Sequence, residues 1–591
     1  MSADRMRILT HNNTEGRLSL IKVVLIYVVF VIIGFIYVSR FTIPVHIRTD
    51  EELYLSMARS FHAGQGFMQY GQSLNYSSVL YSVIISVAYY FYSPEHILLI
   101  IRCINVLIMF SAVFPTYMLC KAVTGDDKMS VLTASVCALM PELAMSGYIM
   151  QETLYYPILL WSFYFMYLDM AQSRVSYRTV LTSALYILAF WTKTVGFIFP
   201  LIYAGWTLLA AVKRKTPKPL LKAAVIAITC LIMLAIGHFF VYAVNMGSGT
   251  NHYSSQAANL FPITLITLRC LIVGMLVYLA CTIISMGAIP VAVPIKFRHN
   301  MDEHDRDYMY IMLLFLIATI AEIILLVVYT ENRDFIVPKK FLYRYMFPMF
   351  VPFMILMLKA LKLSGKELQS VKIRKDIIAF TARTLIISAL VMLIYYCIIG
   401  SNGMSGLVDG MLFTVITNVN NHVWQYSGAI FALILLIGAI IIQAGKGSLS
   451  GKLCSAKRII QLYIVVFVII DIVSFVWFPY YNNVYCNGRT IEPQMIQIAG
   501  EINKGTHDKL IHVCRASYLQ DSIWGYINED YMICQLHEYD TMMQEYIQEN
   551  HDETWYMVID KDIMSEMNEY DLDTIVETDD YILVSTGGAN D

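Results

Sequence analysis

Thirteen stretches of this chain are apolar over close to the thickness of a bilayer, at 18–39, 97–120, 129–147, 153–171, 178–192, 195–212, 222–245, 263–292, 308–329, 343–360, 377–400, 424–443 and 459–478. A segment in lipid must satisfy every backbone N–H and C=O within itself, so each run is confined to a helix. Hydrophobic residues make up 58% of the 591 and charged ones 15%, which exceeds the apolar share of a soluble domain. The expected fold is an all-α polytopic membrane protein with about 13 transmembrane helices. The first run is too long for the apolar core of a cleavable signal and lacks a small-residue cleavage pattern, so it reads as a retained first span. Residues 76–92 are also apolar but rich in Tyr and Ser, and read as an interfacial or re-entrant helix.

Loop charge then sets the orientation. With the N-terminus in the cytoplasm, the inner loops hold 26 Lys and Arg, and the outer loops before the last span hold eight. This asymmetry predicts a multi-pass protein of the plasma membrane whose loop after the first span lies outside. After Pro479 the composition changes: from Tyr485 to Asp591 there are 22 Asp and Glu against five Lys and Arg. Short β-type runs at 510–514, 556–559 and 581–584 alternate with helical stretches at 493–502 and 541–550. The division expected is a membrane domain, 1–478, and a small acidic extracytoplasmic α/β domain, 479–591. Its charge argues against binding nucleic acid. It is either an accessory module near an acceptor or a solvated domain packed on the membrane part. Of the eleven Cys, eight sit in or beside spans as small apolar side chains. Cys486, Cys514 and Cys534 in the tail allow one disulfide and one free thiol without fixing the pairing.

The most informative local feature is Thr49-Asp50-Glu51-Glu52-Leu53-Tyr54, three adjacent acids just past the first span. Leu53, Tyr54, Met57, Ala58 and Phe61 form one apolar stripe, with Glu52, Ser56, Arg59 and Ser60 opposite, so the segment predicts a helix lying in the interface plane. Carboxylates at that depth are placed to meet a lipid-linked substrate. They also suit a T-x-x-E capping box and the positive end of the helix dipole, and both roles are compatible.

These residues carry a resemblance. Asp50-Glu51-x-x-Tyr54-x-x-x-Ala58-Arg59 and Gly64-x-Gly66-Phe67 resemble the first outer loop of the GT-C superfamily of polyprenyl-phosphate-dependent glycosyltransferases, in its protein-mannosyltransferase-like and aminoarabinose-transferase-like branch. Ser78-x-x-Tyr81, the segment Ser146 to Pro157 with Glu152, Thr192-Lys193-x-x-Gly196 and Tyr343-Arg344-Tyr345-Met346-Phe347-Pro348 resemble later landmarks of that family in the same order. The resemblance spans roughly residues 18–360. It departs from the family where Ser77-Ser78 replaces the usual Pro-Pro, and it carries no family signature beyond 360.

The resemblance implies transfer of a sugar from a polyprenyl-phosphate donor to a hydroxyl of a cell-envelope glycan, lipid or protein, with inversion and without a nucleotide. Such a step needs a base on one side of the anomeric carbon and positive charge for the departing phosphate on the other. Asp50 is the expected base, with Glu51 as orienter or second acid. Glu152, Tyr54, Lys193, Arg269, Lys340, Arg344 and Tyr345 are the expected substrate-binding residues. Asp50, Glu152 and His252 are the candidate ligands if a divalent metal ion takes part. Each has an ordinary alternative: Glu152 as an acid at a helix N-terminus, the lysines snorkelling to headgroups, His252 as a solvated loop residue. The other function considered is a flippase or transporter of lipid-linked saccharide, which calls for inverted repeats that this sequence does not display.

Overall fold

The computed structural model describes residues 13–40, 49–69, 72–91, 94–140, 145–172, 174–214, 217–245, 265–285, 288–325, 343–364, 371–399, 437–438, 465, 469, 488–505, 507, 509–514, 532–549, 554–567, 570 and 572–586. His252, Lys339, Lys340 and Cys486 lie outside these residues, as does nearly all of the expected spans 424–443 and 459–478. Helices dominate, as the apolar runs require. Asn13–Val38, Glu152–Met170, Tyr177–Thr192, Ile198–Arg214, Lys218–Val244 and Glu303–Ile323 match expected spans closely.

Four described helices are long and apolar enough to cross a membrane alone, Leu20–Val38, His96–Thr124, Thr194–Val212 and Lys218–Val244, and a fifth appears if a bent pair counts as one. The reading of 129–147 as a span is corrected: the helix there is Asp127–Cys137, and the chain turns before Pro141. The run 263–292 is also broken. Leu271–Ser285 and Ile289–Lys296 meet at 97°, around Ala288 with φ 60° and ahead of Pro290, which has no N–H to continue a helix. The segment 76–92 forms Leu80–Ile85 and a 3-10 turn Ser86–Tyr90, too short to span.

The helix Thr49–His62 corrects a second expectation. Residues 51–60 are all buried, Arg59 completely, so the polar face is covered rather than open to headgroups. Leu53, Tyr54, Leu55, Met57 and Ala58 share one buried apolar cluster with Ile97, Leu98 and Ile101, and with Ile498, Ile502, Leu510 and Val558 of the C-terminal region. The helix Gly488–Ile502 accordingly packs on Pro94–Phe110. Next to it, strands β1 (Met68–Gln69) and β2 (Gln72–Ser73) pair as a small hairpin. Asn245 holds it, its Oδ1 accepting from Phe67 N at 2.8 Å and its Nδ2 donating to Leu74 O at 2.6 Å. Gly66 explains the G-x-G-F pattern: φ is +92°, and an added Cβ would meet Asn245 Oδ1 at 2.8 Å.

The C-terminal region is α/β as expected. Strands β3 (Lys509–Cys514), β4 (Met532–Gln535), β5 (Trp555–Asp560), β6 (Asp573–Glu577) and β7 (Tyr581–Ser585) form a sheet in the order β4-β3-β5-β7-β6. β3 runs parallel to β4 and β5, and β7 antiparallel to β5 and β6. Cys534 on β4 is buried.

One turn sets up the site. After Tyr177–Thr192 the chain passes through Lys193, extended at φ −153° and ψ 129°, into the 3-10 turn Thr194–Phe197. Gly196 N donates to Lys193 O at 2.8 Å. A Cβ on Gly196 would lie 2.5 Å from Phe190 N and 2.7 Å from Ala189 C, both backbone atoms that cannot swing aside. Gly196→Ala is expected to lower the melting temperature in detergent by an amount worth roughly 1–3 kcal/mol. Gly205→Ala, in open space, should be neutral. Equal melting of the two variants would contradict this account of the turn.

Candidate active site

Four helix ends supply the charged side chains. Asp50 is in the first turn of Thr49–His62, Glu152 opens Glu152–Met170, Lys193 follows Tyr177–Thr192, and Arg344 lies in the 3-10 turn Tyr343–Tyr345. They meet in one network. Lys193 Nζ donates to Glu152 Oε1 at 2.5 Å, and Arg344 Nε lies 2.9 Å from the same oxygen. Arg344 Nη2 donates to Asp50 Oδ2 at 3.3 Å, so the guanidinium bridges the two acids. Tyr345 underlies both cations, with Lys193 Nζ 4.0 Å from its ring centroid and the Arg344 guanidinium carbon 5.4 Å away.

Burial divides the roles. Glu152, Lys193 and Arg344 are buried, whereas the Asp50 side chain is 44% exposed and is the acid an incoming group can reach. Burial alone would push the Glu152 carboxyl up, but Lys193 and Arg344 outweigh it and hold it at about 2. Burial lowers Lys193, with Glu152 pulling the other way. Because both cations share Oε1, Glu152 Oε2 is buried without a hydrogen-bond partner among the described residues.

Glu51 points elsewhere. Successive helical residues diverge, and Glu51 Oε1 accepts from Ile149 N at 3.0 Å instead of joining Asp50. It belongs to a scaffold under the turn that delivers Glu152. Arg102 Nε donates to Gly147 O at 3.1 Å, Asn105 Nδ2 to Tyr148 O at 2.8 Å, and Gln151 Nε2 to Ser78 O at 2.9 Å. Tyr81 Oη in turn donates to Asn105 Oδ1 at 3.0 Å, and Ser78 Oγ to Phe190 O at 3.0 Å. The S-x-x-Y pair thus ties the loop after Thr49–His62 to the turns that precede Glu152 and Lys193. Asn105 was missed in the sequence, although a lone amide within an apolar run was a usable signal. Tyr54 is buried edge-on against Tyr81, ring centroids 5.7 Å apart. Arg269 is exposed on Leu265–Ser285 and joins none of these ion pairs.

A divalent ion bridging Asp50 and Glu152 does not fit this arrangement, because the Arg344 guanidinium lies between the two carboxylates. Among the described residues no three His, Cys, Asp or Glu converge as a ligand set. The third candidate ligand, His252, lies outside them.

No family model and no curated protein matches the chain. Among solved structures it is similar to ArnT from Cupriavidus metallidurans bound to undecaprenyl phosphate, at 14% identity and a TM-score of 0.51, covering 96% of this chain and 98% of that one. The apo state of that protein gives 14% and 0.48 over 95% and 98%. The archaeal oligosaccharyltransferase AglB from Archaeoglobus fulgidus, in complex with an inhibitory peptide and a dolichol-phosphate, gives 13% and 0.44 over 93% and 70%.

The buried pair offers a direct check. Lys193→Met leaves Glu152 with one counter-ion, and breaking such a pair should destabilise by roughly 3–5 kcal/mol. The double variant with Glu152→Gln should melt above Lys193→Met alone, since the stranded charge is gone. A Lys193→Met protein that melts like wild type would show that the pair is not formed. Near-complete coverage of both chains at this TM-score shows that the molecule shares the fold of ArnT.

Proposed function

We propose that the protein is a membrane glycosyltransferase that moves a sugar from a polyprenyl phosphate to an acceptor hydroxyl at the outer membrane face. The observation that carries this reading is the convergence of Asp50, Glu152, Lys193 and Arg344 from four separate helix ends into one network. The fold supports the donor class, since ArnT, with which it is shared, is seen bound to undecaprenyl phosphate.

In this reaction the acceptor O–H gives its proton to Asp50 as its oxygen attacks the anomeric carbon. The bond from that carbon to the phosphate oxygen breaks, and the phosphate leaves with the electron pair. Lys193 and Arg344 meet the charge that develops there, Arg344 with its planar fork and Lys193 as a point charge. Before substrate arrives, Glu152 holds both cations in position. That spares their reorganisation during the step. Attack opposite the leaving phosphate inverts the anomeric centre. Glu51 serves as a positioning residue through the Ile149 amide.

The transporter reading is weakened by the buried charges at the opposite ends of the helices, which are committed to each other. Lys222 pairs with Asp169 at 2.9 Å and donates to the Asp169 and Gln172 carbonyls, and Lys359 pairs with Asp305 at 3.1 Å and donates to Val123 O. A saccharide path would need such groups to be available.

Asp50→Asn tests the proposal. Asparagine serves a helix N-terminus about as well as aspartate, so the protein should fold and insert. Without a base, transfer from a lipid-linked donor should fall roughly 10²-fold to 10⁴-fold. Wild-type turnover by this variant would remove Asp50 from the chemistry.

A further inference from the structure

Two polar side chains near the charge network, buried Tyr155 and half-buried Glu322, take no part in it. Tyr155 lies three residues after Glu152 in Glu152–Met170, one turn deeper on the same face. It is fully buried, and its hydroxyl has no hydrogen-bond partner among the described residues. Glu322 is the penultimate residue of Glu303–Ile323, and its Oε2 is likewise buried without a partner. An ionisable side chain within an apolar helix is expensive to keep, and where it persists it most often serves a ligand or a transfer path. A Phe or Leu at either position would remove the unmet polar group outright.

The helix register brings the two together. Tyr167 donates to Asp305 Oδ1 at 2.7 Å, and further along the same pair of helices Phe163 stacks on Phe315 with ring centroids 5.9 Å apart. Glu152–Met170 and Glu303–Ile323 therefore run antiparallel. Continuing in that direction brings Tyr155 level with the end that carries Glu322. Glu322, Glu152 and Tyr345 are the ionisable groups that stand close enough to Tyr155 to act on its hydroxyl.

We propose that Tyr155 and Glu322 form a hydroxyl-binding subsite for the sugar ring of the lipid-linked donor, an inference that rests on the reading of the neighbouring cluster as a glycosyl-transfer site. A ring whose phosphate sits at Lys193 and Arg344 reaches one helical turn, about 5.4 Å, into the protein. There a phenol and a carboxyl group give and accept hydrogen bonds with ring hydroxyls. The Tyr155 hydroxyl and Glu322 Oε2 are already out of water, so the sugar satisfies them without a new desolvation cost. The pair thus reads the sugar while Lys193 and Arg344 read the phosphate.

The test compares lipid binding by the full-length wild type, Tyr155→Phe and Glu322→Gln in nanodiscs. The probes are undecaprenyl phosphate and the same lipid carrying glucose, mannose or galactose. Wild type should bind at least one glycosylated lipid more tightly than the bare one. Each variant should lose roughly fivefold to tenfold of that preference, with bare-lipid affinity unchanged and the melting temperature no lower than that of wild type. Variants that keep the preference, or that lose bare and glycosylated lipid equally, overturn the subsite. A wild type that binds bare lipid and prefers none of the three sugars also overturns it, while leaving the phosphate site standing. A wild type that binds neither lipid overturns the reading of the charge network itself.

Discussion

The Glu152 carboxylate organises one end of the helix bundle, because a buried negative charge has to be met by cations wherever the chain can bring them. Two arrive at the same oxygen, Lys193 from one helix end and Arg344 from a 3-10 turn, and Arg344 reaches on to Asp50. None of the four is close in sequence to another, so their meeting fixes the relative positions of four helix ends. A buried ion pair is a weak source of net stability, since desolvation offsets most of the Coulomb gain. Its effect here is geometric. In the proposed reaction the network defines where a phosphate and an acceptor hydroxyl sit, and it leaves Asp50 as the exposed member.

The same approach serves structure alone at the other ends of the helices. Asp169 accepts from Tyr203, Thr179 and Ser176 besides its pair with Lys222, and Lys362 donates to Thr124 O at the end of Val113–Thr124. These groups are tied to backbone carbonyls and to each other. The network around Glu152 brings two cations to one carboxylate oxygen and extends to Asp50, whose side chain is 44% exposed.

Much of the site was legible because apolar runs stop where helices end, and charged residues at such ends stand out. Asp50, Glu152, Lys193 and Arg344 were found in that way. Their pairing was not legible, since it depends on contacts across 294 residues for Arg344 and Asp50. Hydropathy also erred where it treats an apolar run as continuous: the end of the helix at Cys137 and the turn at Ala288 interrupt runs that look unbroken. Periodicity read Thr49–His62 as amphipathic and assigned its polar face to the interface, but polar residues such as Ser60 are covered by protein, its hydroxyl accepting from Met68 N at 3.0 Å. In the C-terminal region β3, β5 and β7 were visible as apolar runs. β4 is only four residues long and β6 is largely exposed, so neither stands out.

The central claim is that Lys193 and Arg344 receive the phosphate of a polyprenyl lipid beside Asp50. A cryo-EM structure of the full-length protein in nanodiscs with undecaprenyl phosphate measures this directly. The account predicts phosphate density within hydrogen-bond distance of Lys193 Nζ and the Arg344 guanidinium, with Asp50 facing the side away from the lipid chain. Phosphate held at the inner lysines between 213 and 222, with Lys193 and Arg344 still bound to Glu152 alone, would contradict it.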